Sequence, residues 1–240
     1  MGRAFEFRKA RKMKRWSSMA KTFTRIGKDI VMAVKEGGPD PATNSRLRAV
    51  IQNSKSANMP KANVESAIKR ASSNDQEDYK EVILEGYAQH GIAVLVECTT
   101  DNNNRTVANL RSYFSKTDGS LGTNGMLDFI FDRKCIFKVE PKEGLDLEEL
   151  EFEMIDHGAE EVFLDEEANQ INIYGEFTAY GSIQSFLEEN NHEIVESNFE
   201  RIPTDTKTLS EEDAADVEKL IEKLEEDDDV QNIYHNMLTA

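Results

Sequence analysis

The chain has 240 residues, of which 38% are hydrophobic and 31% charged, and its formal net charge is −17. That apolar fraction supports small packed cores, which excludes a chain disordered throughout. No run approaches the roughly 18–20 apolar residues that a membrane span needs, and the basic start is not followed by the apolar segment of a secretory signal. The two cysteines, Cys98 and Cys135, and the four scattered histidines give neither a disulfide framework nor zinc-ligand spacing. A reduced, cytoplasmic setting with no metal and no cofactor is therefore expected.

The charge is unevenly spread. Residues 1–70 hold 17 Lys+Arg against 5 Asp+Glu, whereas residues 71–240 hold 12 against 41. Such asymmetry suggests a polyanion-binding end joined to acidic modules.

The opening "MGRAFEFRKARKMKRW" interleaves cations with Phe5, Phe7 and Trp16. The next segment, "SSMAKTFTRIGKDIVMAVKEGGPDP", reads as a helix stopped by Gly37-Gly38 and Pro39. Phe23, Ile26, Ile30 and Val34 form its apolar stripe, and Lys21, Arg25, Lys28 and Lys35 fall on the opposite side. Asn44 is a good cap for a second helix, with Leu47, Val50, Ile51 and Ser54 on one face. Pro60 suits the first turn of a third, lined by Val64, Ala67, Ile68 and Ala71. Three such helices make a small bundle, and "SSNDQEDY" reads as a linker.

From Glu81 the period changes. "EVILEGYAQHGIAVLVECTT" predicts two strands about a turn at Gln89-His90-Gly91. "DNNNRTVANLRSYFSK" predicts a helix capped by Asn104, and "GMLDFIFDR" a third strand. "CIFKVEP", "LDLEELEFEMIDHG", "EEVFLDE", "QINIYGEF", "TAYGSIQSFLEENN" and "HEIVESNFERI" then give βαββαβ, the split βαβ of ferredoxin-like domains, with a turn at Ala168-Asn169. The final stretch offers a helix that starts at a Ser210/Asp213 capping box, and then a strand, "VQNIYHNM". The sheet beginning at Glu81 needs that last helix and strand to be complete. The expected fold is thus α+β in three domains: a basic helical domain over 1–75, a discontinuous α/β domain over 76–134 and 206–240, and an acidic βαββαβ domain over 135–205 inserted into it. Both α/β domains are expected to be ferredoxin-like.

The candidate site is the basic end. Arg3, Arg8, Lys9, Arg11, Lys12, Lys14, Arg15, Lys21, Arg25 and Lys28 could meet phosphates, and Trp16 could stack on bases. Arg46, Arg48, Lys55 and Lys61 extend the surface. If about five of these cations neutralise phosphates, log affinity falls with log salt at a slope of about −4. Lys69 and Arg70 lie in a last helical turn, where a cation offsets the helix dipole, so a structural role fits them equally well. A solvated basic face and an organelle transit peptide share the same composition. "DGSLGTNG" lacks the spacing of a phosphate-binding loop and reads as a helix-to-strand turn. No paired catalytic set or nucleophile motif stands out, so no catalytic residue is assigned and an enzyme is not expected. The acidic domains could hold a basic protein partner, or act only as a soluble charged spacer.

Three stretches, "GGPDPATNSRLRAVIQNSKSANMPKANVESAIKRA", "LEGYAQHGIAVLVECTTDNNNRTVANLRSYFSKTDGSLGTNGMLDFIFDRK" and "DDDVQNIYHNM", resemble the YebC/PmpR family over nearly the whole chain. The resemblance implies a cytoplasmic protein with a helical N-terminal domain and two α/β domains, and neither catalysis nor a cofactor. Many members are described as transcriptional regulators that bind DNA, while mitochondrial and some bacterial relatives look like translation factors acting on stalled ribosomes. The chain departs from the family's usual GHSKWxxIKxxK start. It keeps Gly2, Trp16 and the cations, so the basic role carries over to Arg8, Lys12, Lys14 and Arg15, but individual base contacts do not. Two targets follow, DNA for a transcriptional regulator and ribosomal RNA for a translation factor. Charge cannot separate them, since both present phosphates.

Overall fold

The computed structural model describes residues 19–73 and 78–239. Three helices open it: α1 (Met19–Gly37), α2 (Ser45–Ser56) and α3 (Lys61–Ala71). Ile26, Ile30, Ala33 and Val34 of α1 close over Leu47 of α2 and Val64, Ala67 and Ala71 of α3. Asn44 fixes the α1–α2 corner. Its buried side chain accepts from Leu47 N at 2.9 Å, capping α2, and donates to Ala33 O at 2.7 Å and Gly38 O at 2.8 Å, which finishes α1. Gly38 reverses the chain at φ +83°, a conformation open to a residue without a Cβ.

The first sheet follows. Strands β1 (Lys80–Tyr87) and β2 (Ala93–Thr100) form an antiparallel hairpin, with Tyr87 opposite Ala93. Helix α4 (Asn103–Lys116) leads to β3 (Ser120–Leu121), two residues that pair with Gly86 and Tyr87. The α4 cap is Asn102, whose side chain accepts from Arg105 N at 3.1 Å, and not Asn104 as the sequence suggested. Cap identity depends on where the strand lets go, which composition does not reveal.

The expected strand "GMLDFIFDR" is also corrected. Residues 124–130 are turns, and one long strand, β4 (Phe131–Val139), takes in both the end of that segment and "CIFKV". The reason is a capture. The buried Glu85 carboxylate accepts from Gly125 N at 2.8 Å and Leu127 N at 2.7 Å, curling the chain so that Leu127 is buried beneath the sheet with Leu95 and Tyr234. The glycine loop thus does cradle an anion, and the anion is the protein's own.

Strand β4 begins the second sheet. With α5 (Leu147–Ile155), β5 (Ala159–Asp165), β6 (Gln170–Glu176), α6 (Tyr180–Glu189) and β7 (Ile194–Pro203) it makes βαββαβ. The strand order is β5-β6-β4-β7, antiparallel throughout, the ferredoxin-like arrangement. Cys135, Phe137, Val139, Ile171 and Ile173 pack against Leu150, Met154, Ile183 and Leu187 of the two helices.

The chain then returns through β8 (Lys207–Leu209), α7 (Glu211–Glu226), β9 (Val230–His235) and β10 (Met237–Thr239). Ser210 Oγ accepts from Asp213 N at 3.2 Å and starts α7. Strand β9 completes the first sheet in the order β3-β1-β2-β9, and β8 pairs with β10 in parallel. Helices α4 and α7 cover one face of that sheet over Val94, Val96, Cys98, Val230 and Ile233. The turn at 124–130 covers the other, so β2 is buried on both sides. The two sheets share an α+β build with two helices on one face. The first connects as ββαβ and, after the second sheet, αβ.

Candidate nucleic-acid interface

The sequence-derived basic surface divides into three groups. Arg3, Arg8, Lys9, Arg11, Lys12, Lys14, Arg15 and Trp16 lie outside the described residues. Lys21, Arg25 and Lys28 point along α1 toward the end of α7. Helix α7 leaves its last carbonyls without intrahelical donors, and Lys21 and Arg25 supply one of them, Glu225 O. Lys21 Nζ donates to Glu225 O at 3.3 Å, and Arg25 donates to Glu225 O at 3.3 Å and Val230 O at 2.9 Å.

Lys28 is a correction to the expected surface, being 8% exposed. Its ammonium donates to Thr99 O at 2.8 Å, Asp228 O at 2.7 Å and Asp229 Oδ1 at 3.0 Å, which uses all three protons. Asp229 is the centre of this seam. Its other oxygen accepts from Arg105 Nη2 and Thr106 Oγ1, each at 2.8 Å, and from Thr100 Oγ1 at 3.2 Å. Burial pushes the Asp229 carboxyl up, but hydrogen bonds from Arg105, Lys28 and Thr106 outweigh it and bring its pKa to about 2. The face of α1 opposite its apolar stripe is therefore a second protein interface.

The third group lies on α2 and α3. Arg46 is held between Glu36, at 2.6 Å, and Glu81. Arg48 donates to Pro41 O at 2.9 Å and lies 3.8 Å from Glu188 on α6, yet its side chain is 44% exposed. Among the described residues Lys55 reaches only Gln52, at 3.3 Å, and Lys61, with a side chain 90% exposed, sits 3.6 Å from Glu65. Surface ion pairs of this kind contribute little and exchange readily for a phosphate. Lys69 and Arg70 are exposed in the last turn of α3.

The bundle is also fixed to the second sheet. Gln52 Nε2 donates to Ile194 O at 2.7 Å. Asn53 clamps Ser197, donating to its carbonyl at 2.8 Å and accepting from its N–H at 3.0 Å, as a neighbouring strand would. Between the sheets, Arg201 Nε donates to Glu97 Oε1 at 3.0 Å. Seams on two sides hold the helical bundle in one orientation, with Arg48, Lys55 and Lys61 facing solvent.

Two family models match the chain end to end. The TACO1/YebC protein N-terminal domain matches residues 3–74, and the TACO1/YebC second and third domain matches residues 79–237. The chain belongs to the TACO1/YebC family. A "Probable transcriptional regulatory protein" of Flavobacterium johnsoniae is 66% identical over 237 residues, covering 99% of each chain. A protein of the same name from Porphyromonas gingivalis is 56% identical, over 99% of this chain and 97% of its own. The crystal structure of a conserved hypothetical protein, Aq1575 from Aquifex aeolicus, superposes with a TM-score of 0.77 at 37% identity, covering 94% of this chain and 92% of that one. The Flavobacterium and Porphyromonas relatives of this TACO1/YebC chain are thus named for regulation, and none of these three names describes an enzyme.

Some features of this TACO1/YebC chain carried no sequence signal. The Asp229 seam needs α1, β2, α4 and the α7–β9 turn together. Two aromatic rings, Phe177 in the single turn that follows β6 and Phe199 on β7, remain 37% exposed. Cys98 and Cys135 are buried, which pushes their thiols up to about 12 and about 11 and leaves them unreactive. Among the described residues no His, Cys, Asp or Glu cluster could hold a metal ion, and no helix is long and apolar enough to cross a membrane.

Proposed function

We propose that this protein is a cytoplasmic, nucleic-acid-binding regulator of gene expression, whose helical N-terminal region grips the phosphate backbone of DNA. The observation that carries this reading is the division of charge. The cations that dock α1 are spent inward. Arg48, Lys55 and Lys61 of α2 and α3 face solvent, and the sequence holds seven more Lys+Arg in its first sixteen residues. The remainder of the chain is acidic and turns a polyanion toward that one end. No step in this role calls for catalysis, a metal or a cofactor. The regulatory names of the relatives agree with it.

The test is a titration of labelled duplex DNA with the full chain across a salt series, against a variant with Arg8, Lys12, Lys14 and Arg15 all changed to Glu. Wild-type affinity should fall with salt at a log–log slope of about −4, and the variant should lose binding while its circular dichroism is unchanged. Binding that survives the reversals would overturn the assignment. Co-sedimentation with ribosomes after DNase treatment, without duplex binding, would replace DNA by ribosomal RNA as the target.

A further inference from the structure

Two cations of the second sheet face each other. Arg133 on β4 stands directly opposite Arg201 on β7. Like charges in that register repel, and each would ordinarily be neutralised. Arg201 is, by Glu97 of the first sheet. Arg133 has no carboxylate within ion-pair distance among the described residues. Its guanidinium instead lies 3.8 Å from the ring centroid of Phe177 and 5.3 Å from that of Phe199. Burial, and then Arg201, push its pKa down, with Glu97 and Glu81 opposing from farther off.

The rings beneath it form a run. Phe177 and Phe199 are 4.8 Å apart, and Phe199 and Tyr180 are 4.9 Å apart, both tilted. Tyr180 is anchored by its hydroxyl to Ser197 Oγ at 2.9 Å. Ser197 is also the residue that Asn53 of α2 clamps, and Phe199 follows two positions later on the same face of β7, about 7 Å along. The aromatic run therefore begins where the basic helical bundle is docked and ends in an exposed guanidinium. Partly exposed phenylalanine rings beside an arginine plane match the chemistry of an unpaired base and its phosphate.

We propose that Arg133, Phe177 and Phe199 form a stacking site for a nucleotide of single-stranded nucleic acid, extending the basic surface of the helical bundle across the second sheet. This rests on the nucleic-acid reading above and adds a single-stranded segment to its ligand. Exposed acids flank the site, Glu176 beside Phe177 and Asp132 beside Arg133. It therefore takes one phosphate at most and contributes mainly stacking.

The experiment titrates the full chain with fluorescein-labelled 20-mers of oligo(U), oligo(dT) and a duplex. Phe199→Leu should weaken both single-stranded probes about tenfold and leave the duplex unchanged, and Phe199→Tyr should restore binding. Arg133→Gln, a surface change that keeps the fold, should weaken the single strands and reduce the salt slope by no more than about one. Ultraviolet crosslinking should map to peptides containing Phe177 or Phe199. A preference for oligo(U) would assign the ligand to RNA, and equal binding would assign it to single strands of either kind. If wild type binds the single strands but these variants bind them equally well, the stacking site is refuted and the nucleic-acid role stands. If wild type binds no probe, the broader role fails and this site with it.

Discussion

Asp229→Asn removes one charge from the seam between α1, β2, α4 and the α7–β9 turn and keeps the shape of the side chain. The carboxylate is 8% exposed, so solvent screens it weakly. Its pKa drops from 3.8 to about 2, because the hydrogen bonds from Arg105, Lys28 and Thr106 outweigh burial. At 1.36 kcal/mol per unit, the charged form contributes about 2 kcal/mol at neutral pH. The folded value lies below the unfolded one, so this stability is present above about pH 4 and is lost as pH falls through about 2. The variant should therefore unfold about 2 kcal/mol more easily at pH 7, with the gap shrinking by about half at pH 3. Urea unfolding followed by circular dichroism at pH 7, 5 and 3 measures it. A gap that is equal at pH 7 and pH 3 would refute the reasoning, since the loss would then not belong to the carboxylate's charge.

Asp29, half-buried on α1, should behave in the opposite sense. Burial pushes its carboxyl up to about 7, with Glu81 and Glu97 adding to the rise and Arg46 and Arg25 opposing it. Its contribution is present below about pH 4 and is lost as pH rises through about 7, so Asp29→Asn should stabilise the protein by about 4 kcal/mol at pH 8 and by only about 0.5 kcal/mol at pH 4, read from melting curves at both. Gly86→Ala should cost about 2–3 kcal/mol in urea unfolding, because the added Cβ would sit 2.4 Å from Ser120 O and 2.8 Å from Phe114 Cε1, and that backbone oxygen cannot retreat without loosening β3. A cost below about 0.5 kcal/mol would mean that β3 gives way freely.

Much of the fold could be read from local pattern. The stripe Ile26, Ile30 and Val34 is buried as expected, Asn44 and Ser210 cap the helices they precede, and βαββαβ appears in order. What escaped reading depended on distant partners. The strand expected at "GMLDFIFDR" has the right alternation, yet Glu85, some forty residues upstream, bends it into a turn. The strand that does complete that edge, Ser120–Leu121, is too short to carry a period. A helical wheel separates the apolar side of α1 from its cationic side, but it cannot tell water from the carbonyl end of another helix. Lys28 consequently looked like a surface residue. The candidate nucleotide platform was invisible for a related reason. Phe177 and Phe199 sit at positions that alternation assigns to a strand, and only the packed structure leaves their rings partly exposed beside Arg133.

The second sheet has its doorway in a single strand pair. The chain enters it at Phe131 and leaves at Pro203, and these two residues are register partners, with Thr204 N donating to Ile130 O at 2.8 Å just outside. About seventy residues thus depart and return through a gap about 5 Å wide, the spacing of one hydrogen-bonded step. Beyond that gap the host holds the second sheet chiefly by β7, through Glu97 on Arg201 and through Gln52 and Asn53 on Ile194 and Ser197. Its other strands and turns can lengthen or shorten with little change in the entropy of closing the loop. Phe131–Pro203 is in that sense a hinge pin, which leaves β5, β6 and their turns free to vary while β7 keeps the host's architecture.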